Sequence, residues 1–224
     1  MKIISDYIDY LHEGYLFDDK TISIDLDKFE SGESNVLLIT GSPGSGKTTL
    51  SHYLENKYKC EVIHLDDYIS QSKDLKIWLK KNNFPETIEE IRKISRQQAH
   101  IIIQRMFDEV AGVIILKLFK QGIKVRCIVE GAVIAQIFDD LKQYILKEKM
   151  PMIIIGKSGL KSSIGVERRS KIKHPEKTIL QSFDVFWRHF KSNMTRWVKG
   201  VNNTRRERCK VPGSNIQEYK IPKL

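Results

Sequence analysis

The sequence predicts an α/β fold, a parallel sheet covered by helices on both faces. Three observations predict it. Strand-length apolar runs at 36–40, 60–65, 125–129 and 152–155 alternate with segments of helical length and periodicity. The first run is apolar from Val36 to Ile39 and the last along its whole length, as suits strands buried on both sides. A glycine-rich turn joins the first run to a helical segment, the arrangement of a strand–loop–helix unit.

The 224 residues, 41% hydrophobic and 29% charged, suffice for one sizeable core and are short for two full domains. No run approaches the ~20 apolar residues of a membrane span. Met1-Lys2-Ile3-Ile4-Ser5-Asp6 turns acidic where a signal peptide needs an apolar block. Cys60 and Cys127 fall in strand-like apolar runs and read as small buried hydrophobes, with Cys209 elsewhere. A reducing, cytoplasmic location with no membrane partner is the expectation.

In chain order, Ile4, Tyr7, Ile8, Leu11 and Tyr15 recur at helical spacing. Residues 21–26 alternate like a strand, and the turn at 31–35 closes an acidic N-terminal segment, 1–35, appended to the core. The first buried strand breaks at Gly41, and a helix is expected from Lys47 to about Lys57. The second strand, Cys60-Glu61-Val62-Ile63-His64-Leu65, ends in Asp66-Asp67. Residues 72–94 are polar with short helix signals. From Ser95 a long amphipathic helix carries Ala99, Ile102, Ile103, Met106, Val110 and Val113 on one stripe, and Gly122 stops it. Val125 to Val129 is the third strand, ending at Glu130-Gly131. A short helix over 134–146 precedes the fourth strand, 152–155.

Gly41-Ser42-Pro43-Gly44-Ser45-Gly46-Lys47-Thr48, followed by Thr49, matches G-x-x-x-x-G-K-[ST] in full and sits between a buried strand and a helix. The glycines let successive backbone N–H groups converge on phosphate oxygens, and the helix N-terminus adds partial positive charge. Lys47 is placed for the β- and γ-phosphates and the Thr48 hydroxyl for Mg²⁺, so ATP and Mg²⁺ are the expected cofactors. A GTPase would need an Asn-Lys-x-Asp-type segment, which is absent. A motor ATPase would show an apolar strand ending in Asp-Glu, and the sole candidate ends in Glu130-Gly131. The kinase branch remains.

With the phosphate loop, Asp66-Asp67-Tyr68 and Glu130-Gly131 together, the chain resembles the small phosphate-loop kinases. It is most similar to the uridine kinase and nicotinamide riboside kinase group. The Asp-Asp-aromatic element is shared with polynucleotide 5′-kinases and zeta-toxin-like kinases, so it identifies a reaction better than a substrate. The resemblance implies a P-loop NTPase core of nucleoside/nucleotide-kinase type at 36–200, with a basic tail at 201–224. Within that core, 70–112 is the expected acceptor-site cover and 157–175 the lid region.

The resemblance also implies roles for residues. Strands of a parallel sheet deliver their C-terminal residues to the edge that holds the phosphate loop, so Asp66 and Asp67 should face the γ-phosphate. Asp66 is implied as general base and as a metal-side carboxylate, and Asp67 as a group orienting substrate or a Mg²⁺-bound water. A bare strand-to-helix cap is the other reading of the pair. Glu130 would hold a Mg²⁺-bound water or a substrate hydroxyl, or simply mark a strand exit. Arg168 and Arg169 fall where the family carries a lid over ATP, and their rigid donor forks suit a transferring phosphoryl group. His174-Pro175 stands near the place where family members usually carry a further Arg-Asp, a departure from the pattern.

Charge is segregated. Net charge is +10, yet residues 157–224 hold 17 Lys/Arg against 5 Asp/Glu, a net of +12, and the remainder is slightly acidic. Beyond the lid, Lys199, Arg205, Arg206, Arg208 and Lys210 form a cluster suited to an anionic acceptor. Phe183, Phe186, Trp187, Phe190 and Trp197 lie at helical spacing nearby, either as core or as a surface for stacking bases. Three functions follow: transfer of the ATP γ-phosphate to a hydroxyl of a nucleoside- or nucleotide-like acceptor, the same transfer to nucleic acid, or a non-catalytic ATP-binding module.

Overall fold

The computed structural model describes residues 21–135, 137–156 and 213–222, together with 164, 166, 167, 170, 172 and 175. Its centre is a six-stranded sheet: β1 (Ile22–Ile24), β2 (Val36–Gly41), β3 (Glu61–His64), β4 (Cys127–Glu130), β5 (Met152–Ile155) and β6 (Ile216–Glu218). They lie in the order β3-β4-β2-β5-β1-β6. The four strands β3, β4, β2 and β5 are mutually parallel, and β1 pairs antiparallel with both β5 and β6.

β2 is the central strand, and all six of its residues are buried. Successive side chains point to opposite faces. Leu37 and Ile39 therefore join Phe29, Leu50, Leu54, Ile128 and Ile153 on one side, while Val36 and Leu38 join Val129, Met152, Ile114 and Phe138 on the other. The first face is covered by α1 (Leu26–Glu30) and α2 (Lys47–Tyr58). The second is covered by α3 (Leu65–Gln71), α4 (Lys73–Lys81), α5 (Ile88–Lys93), α6 (Arg96–Met106), α7 (Gly112–Gln121) and α8 (Phe138–Lys147). Helices on both faces of a mostly parallel sheet are the expected α/β architecture.

The long helix after Ser95 departs from a regular spiral. A π turn, Phe107–Ala111, separates α6 from α7. Its wider turn shifts the phase of everything after it. Ala99, Ile102, Met106 and Val110 keep the expected stripe, but Val113, expected on it, is half exposed, and Ile114 and Ile115 are buried instead.

One further expectation needs correction. The second strand ends at His64, and Asp66 and Asp67 lie in the first turn of α3 rather than at a strand end. Apart from that, β1 and β6, from the two ends of the described chain, pair with each other at the border of the sheet. Asp25 and Asn215 bond each other twice across the β1–β6 junction, at 2.9 and 2.7 Å, and Tyr219 N–H reaches the Thr21 carbonyl at 2.8 Å. The helical segment expected at 3–17, the aromatic residues 183–197, Cys209 and the basic cluster lie outside the described residues. Cys60 and Cys127 are buried, as expected of small hydrophobes, and burial pushes the Cys127 thiol up to about 12.

Candidate functional site

The C-terminal ends of the parallel strands form the edge on which the site is built. β2 continues directly into the loop 41–46, and α2 starts at Lys47. β2 has β4 on one side and β5 on the other, and the crossovers from β2 to β3 and from β4 to β5 run in opposite directions across the sheet. Crevices outside strand ends at such a switch are where α/β proteins bind ligands.

Two glycines shape the loop for different reasons. At Gly41 the reason is space. An added Cβ would lie 2.9 Å from Ser45 Oγ, 3.0 Å from the Ile155 carbonyl oxygen and 3.2 Å from Ile155 Cβ. Gly41 is paired with Ile155 in the β2–β5 ladder, so that carbonyl has little freedom to retreat. At Gly46, the N-cap of α2, the reason is conformation: φ is 100°, with open space around a hypothetical Cβ. The turn closes with Ser45 N–H on the Ser42 carbonyl at 3.1 Å, and Leu50 N–H on the Gly46 carbonyl at 2.9 Å starts the helix. The first-turn N–H groups of α2 face the loop, the arrangement that attracts anions. Lys47 Nζ also lies here, 3.1 Å from the Ser42 carbonyl oxygen. Pro43 and Gly44 complete the turn, and Thr49 is exposed on α2.

The loop's threonine meets a carboxylate from the neighbouring strand. Thr48 Oγ1 donates to Glu130 Oε1 at 3.2 Å, and His64 Nδ1 lies 2.8 Å from the same oxygen. Glu130 ends β4 and His64 ends β3, and the two are paired in the parallel register. Glu130 is 7% exposed, and its Oε2 is buried with no hydrogen-bond partner among the described residues. A carboxylate oxygen left unpaired in this position is costly unless a ligand or ion completes it. Hydroxyl and carboxylate oxygens are also the donors that Mg²⁺ prefers, so Thr48 and Glu130 fit that ion. Ser45 Oγ, inside the loop, is a second buried oxygen with no partner among the described residues.

Asp66 and Asp67 stand beside this edge on α3, both exposed. Consecutive helical residues point about 100° apart, so the two carboxylates face different directions. Neither is the N-cap, which is His64, although acids in a first turn complement the helix dipole. α3 is pressed against the end of β4: a Cβ on Gly131 would lie 3.0 Å from both Cβ and Cδ1 of Leu65. The Glu-Gly after the third strand thus has two jobs, a carboxylate beside the loop threonine and a close approach of the helix that carries the aspartates.

Gly41 to Thr48 and Glu130 are brought together, with Asp66 and Asp67 on the adjoining helix. Arg168, Arg169, Arg205 and Arg206 lie outside the described residues. The residue that sequence reasoning passed over is His64. Its place at the end of a strand was legible, but its partnership with Glu130 depends on which strands are neighbours. Among the described residues no group of three or more His, Cys, Asp or Glu is arranged to hold a metal, and no helix is long and apolar enough to cross a membrane.

No family model matches the chain. A 74-residue segment, 33% of the chain, is 30% identical to a protein of Methanosarcina barkeri (strain Fusaro / DSM 804) named "Putative adenylate kinase". The match spans 35% of that protein's length, about a third of it. A crystal structure from Chloroflexus aurantiacus J-10-fl, described as a "putative kinase", aligns with 67% of this chain and 73% of its own at 17% identity. Its TM-score of 0.33 is too low a superposition to carry a functional argument.

Proposed function

We propose that this chain is an ATP-dependent phosphotransferase that moves the γ-phosphate to an alcohol group of a nucleoside- or nucleotide-like acceptor. The observation that carries the reading is the phosphate loop on the central strand, with Thr48 bonded to a buried carboxylate whose second oxygen has no partner among the described residues. The similarity of a third of the chain to a protein named as a kinase supports the same class.

Phosphoryl transfer needs positioning and charge stabilisation more than covalent chemistry. The backbone N–H groups of 41–48 and the α2 N-terminus would hold the β- and γ-phosphates, with Lys47 neutralising the charge that moves to the β–γ bridging oxygen. Thr48 and Glu130 would hold Mg²⁺, which supplies further positive charge to the phosphate oxygens. Asp66 takes the proton of the acceptor hydroxyl as its oxygen bonds to the γ-phosphorus. The bond to the bridging oxygen breaks, and ADP leaves with the electron pair. Arg168 and Arg169 are assigned to the lid, Asp67 to the acceptor, and 70–112 to the cover over it.

A second reading, nucleic acid as acceptor, is favoured by one feature, the net +12 of residues 157–224. ATP and Mg²⁺ do not need that much charge, whereas a phosphate backbone does. The deciding experiment is transfer of labelled γ-phosphate to a panel of nucleosides, nucleotides and single- and double-stranded oligonucleotides, with Lys47→Ala as control. Label on a nucleoside or nucleotide supports the first reading, and label on oligonucleotides alone supports the second. ATP binding without transfer to any acceptor leaves a non-catalytic module.

A further inference from the structure

We infer that His64 is a positioning residue that sets the orientation of the Glu130 carboxylate toward its cation, an inference that rests on the nucleotide-site reading above. An ionised carboxylate only accepts hydrogen bonds, so the proton in the 2.8 Å contact is on His64 Nδ1. The Thr48 hydroxyl donates to the same Oε1 at 3.2 Å. The last torsion of a Glu side chain is otherwise broad and two-fold. Two donors on one oxygen select one orientation, and Oε2 is then the buried oxygen left over.

The imidazole is supported in turn. Its ring packs edge-on against His52, with centroids 5.3 Å apart and planes at 61°. His52 Nδ1 lies 3.0 Å from Glu55 Oε2. His52 is one helical turn after Thr48 on α2, so the helix that carries the loop threonine also backs the histidine that steers its carboxylate. A line of side chains, Glu55–His52–His64–Glu130–Thr48, thus connects the exposed face of α2 to the phosphate loop. Outer partners of this kind fix the geometry of the groups that touch a metal, and losing one typically costs ten- to hundred-fold in metal affinity.

The test uses the full chain and calorimetric binding of ADP at a series of Mg²⁺ concentrations. His64→Ala should raise the Mg²⁺ needed for half-maximal ADP binding about ten-fold or more, with metal-free ADP affinity unchanged. His64→Asn, whose amide N–H falls near the Nδ1 position, should stay within about three-fold of the native protein, while His64→Gln, whose amide falls near Nε2, should behave like alanine. A merely structural role would weaken ADP binding with and without metal alike and would not separate Asn from Gln. Either of those results overturns the inference, as does a native Mg²⁺ requirement in His64→Ala. If His64→Ala fails to fold, the Asn–Gln pair decides the question. Lys47→Ala measured alongside separates the two claims. If it leaves ADP binding intact, the nucleotide-site reading and this inference fall together. If it abolishes binding while the His64 variants respond to Mg²⁺ as the native chain does, the inference alone falls.

Discussion

Replacing Glu130 by Gln and by Ala should separate its structural part from its functional one. In Glu130→Ala, the Thr48 hydroxyl and His64 Nδ1–H lose their shared acceptor. His64 is a quarter exposed and regains some water, so the cost is nearer one unpaired buried donor than two, about 2 kcal/mol. For a chain of this size that lowers Tm by roughly 4–8 °C. Glu130→Gln keeps an acceptor toward both donors and removes a buried charge, so its Tm should stay within about 3 °C of the native value. The functional effect runs the other way. ATP with Mg²⁺ at a hundred times its Kd stabilises a native state by about 2.7 kcal/mol, a rise in Tm of roughly 5–11 °C. Glu130→Gln should lose most of that Mg²⁺-dependent rise despite its intact fold, as read by thermal unfolding with ATP, with and without Mg²⁺. A Gln variant that keeps the full Mg²⁺-dependent rise would refute the assignment of this carboxylate to the cation site.

Asp66→Asn should bind ATP as the native chain does and lose phosphoryl transfer, checked by calorimetry and γ-phosphate release to the best acceptor; retained transfer removes Asp66 as the base. Gly41→Ala should cost about 1–3 kcal/mol, since the Ile155 carbonyl it meets is held in the sheet, and urea unfolding should show the loss. Tyr58 donates to Glu30 at 2.6 Å, and that hydrogen bond holds the Glu30 carboxyl below its ordinary value. A depressed carboxyl pKa contributes stability that is present above the unfolded value, near 4.5, and lost as pH falls through the folded one. Tyr58→Phe should therefore be less stable than the native chain at pH 6–7, with the gap narrowing toward pH 3 in urea titrations (~1 kcal/mol at most). Reversing Arg205, Arg206 and Arg208 to Glu should raise the KM for an anionic acceptor at low salt with little change in Tm; unchanged acceptor kinetics would make the cluster a solvated surface.

The features of this protein that depend on local order along the chain were legible in its residues. The uninterrupted apolar run 36–39 reads as a strand buried on both faces, and β2 is buried throughout. Glycine at 41 and 46 before Lys47-Thr48 specified the loop because backbone shape and residue identity are fixed there within eight positions. The helix after Ser95 was legible up to Val110 from its 3.6-residue period. The π turn at 107–111 was not, because a single wider turn leaves no mark in the period of the residues before it, and Val113, expected on the stripe, is half exposed.

What meets what at the C-terminal edge of the parallel strands depends on tertiary structure. Glu130 and His64 are 66 residues apart, and they touch because β3 and β4 are neighbours in parallel register. A slip of β3 by one residue against β4 would turn the His64 side chain to the other face of the sheet, away from Glu130. The same applies to the antiparallel border. Thr21 to Leu26 alternates like a strand in sequence, but nothing local says that it closes the sheet beyond β5, or that 216–218 then adds to it. Pairing between segments about 190 residues apart in the chain is a property of the whole packed fold rather than of either segment.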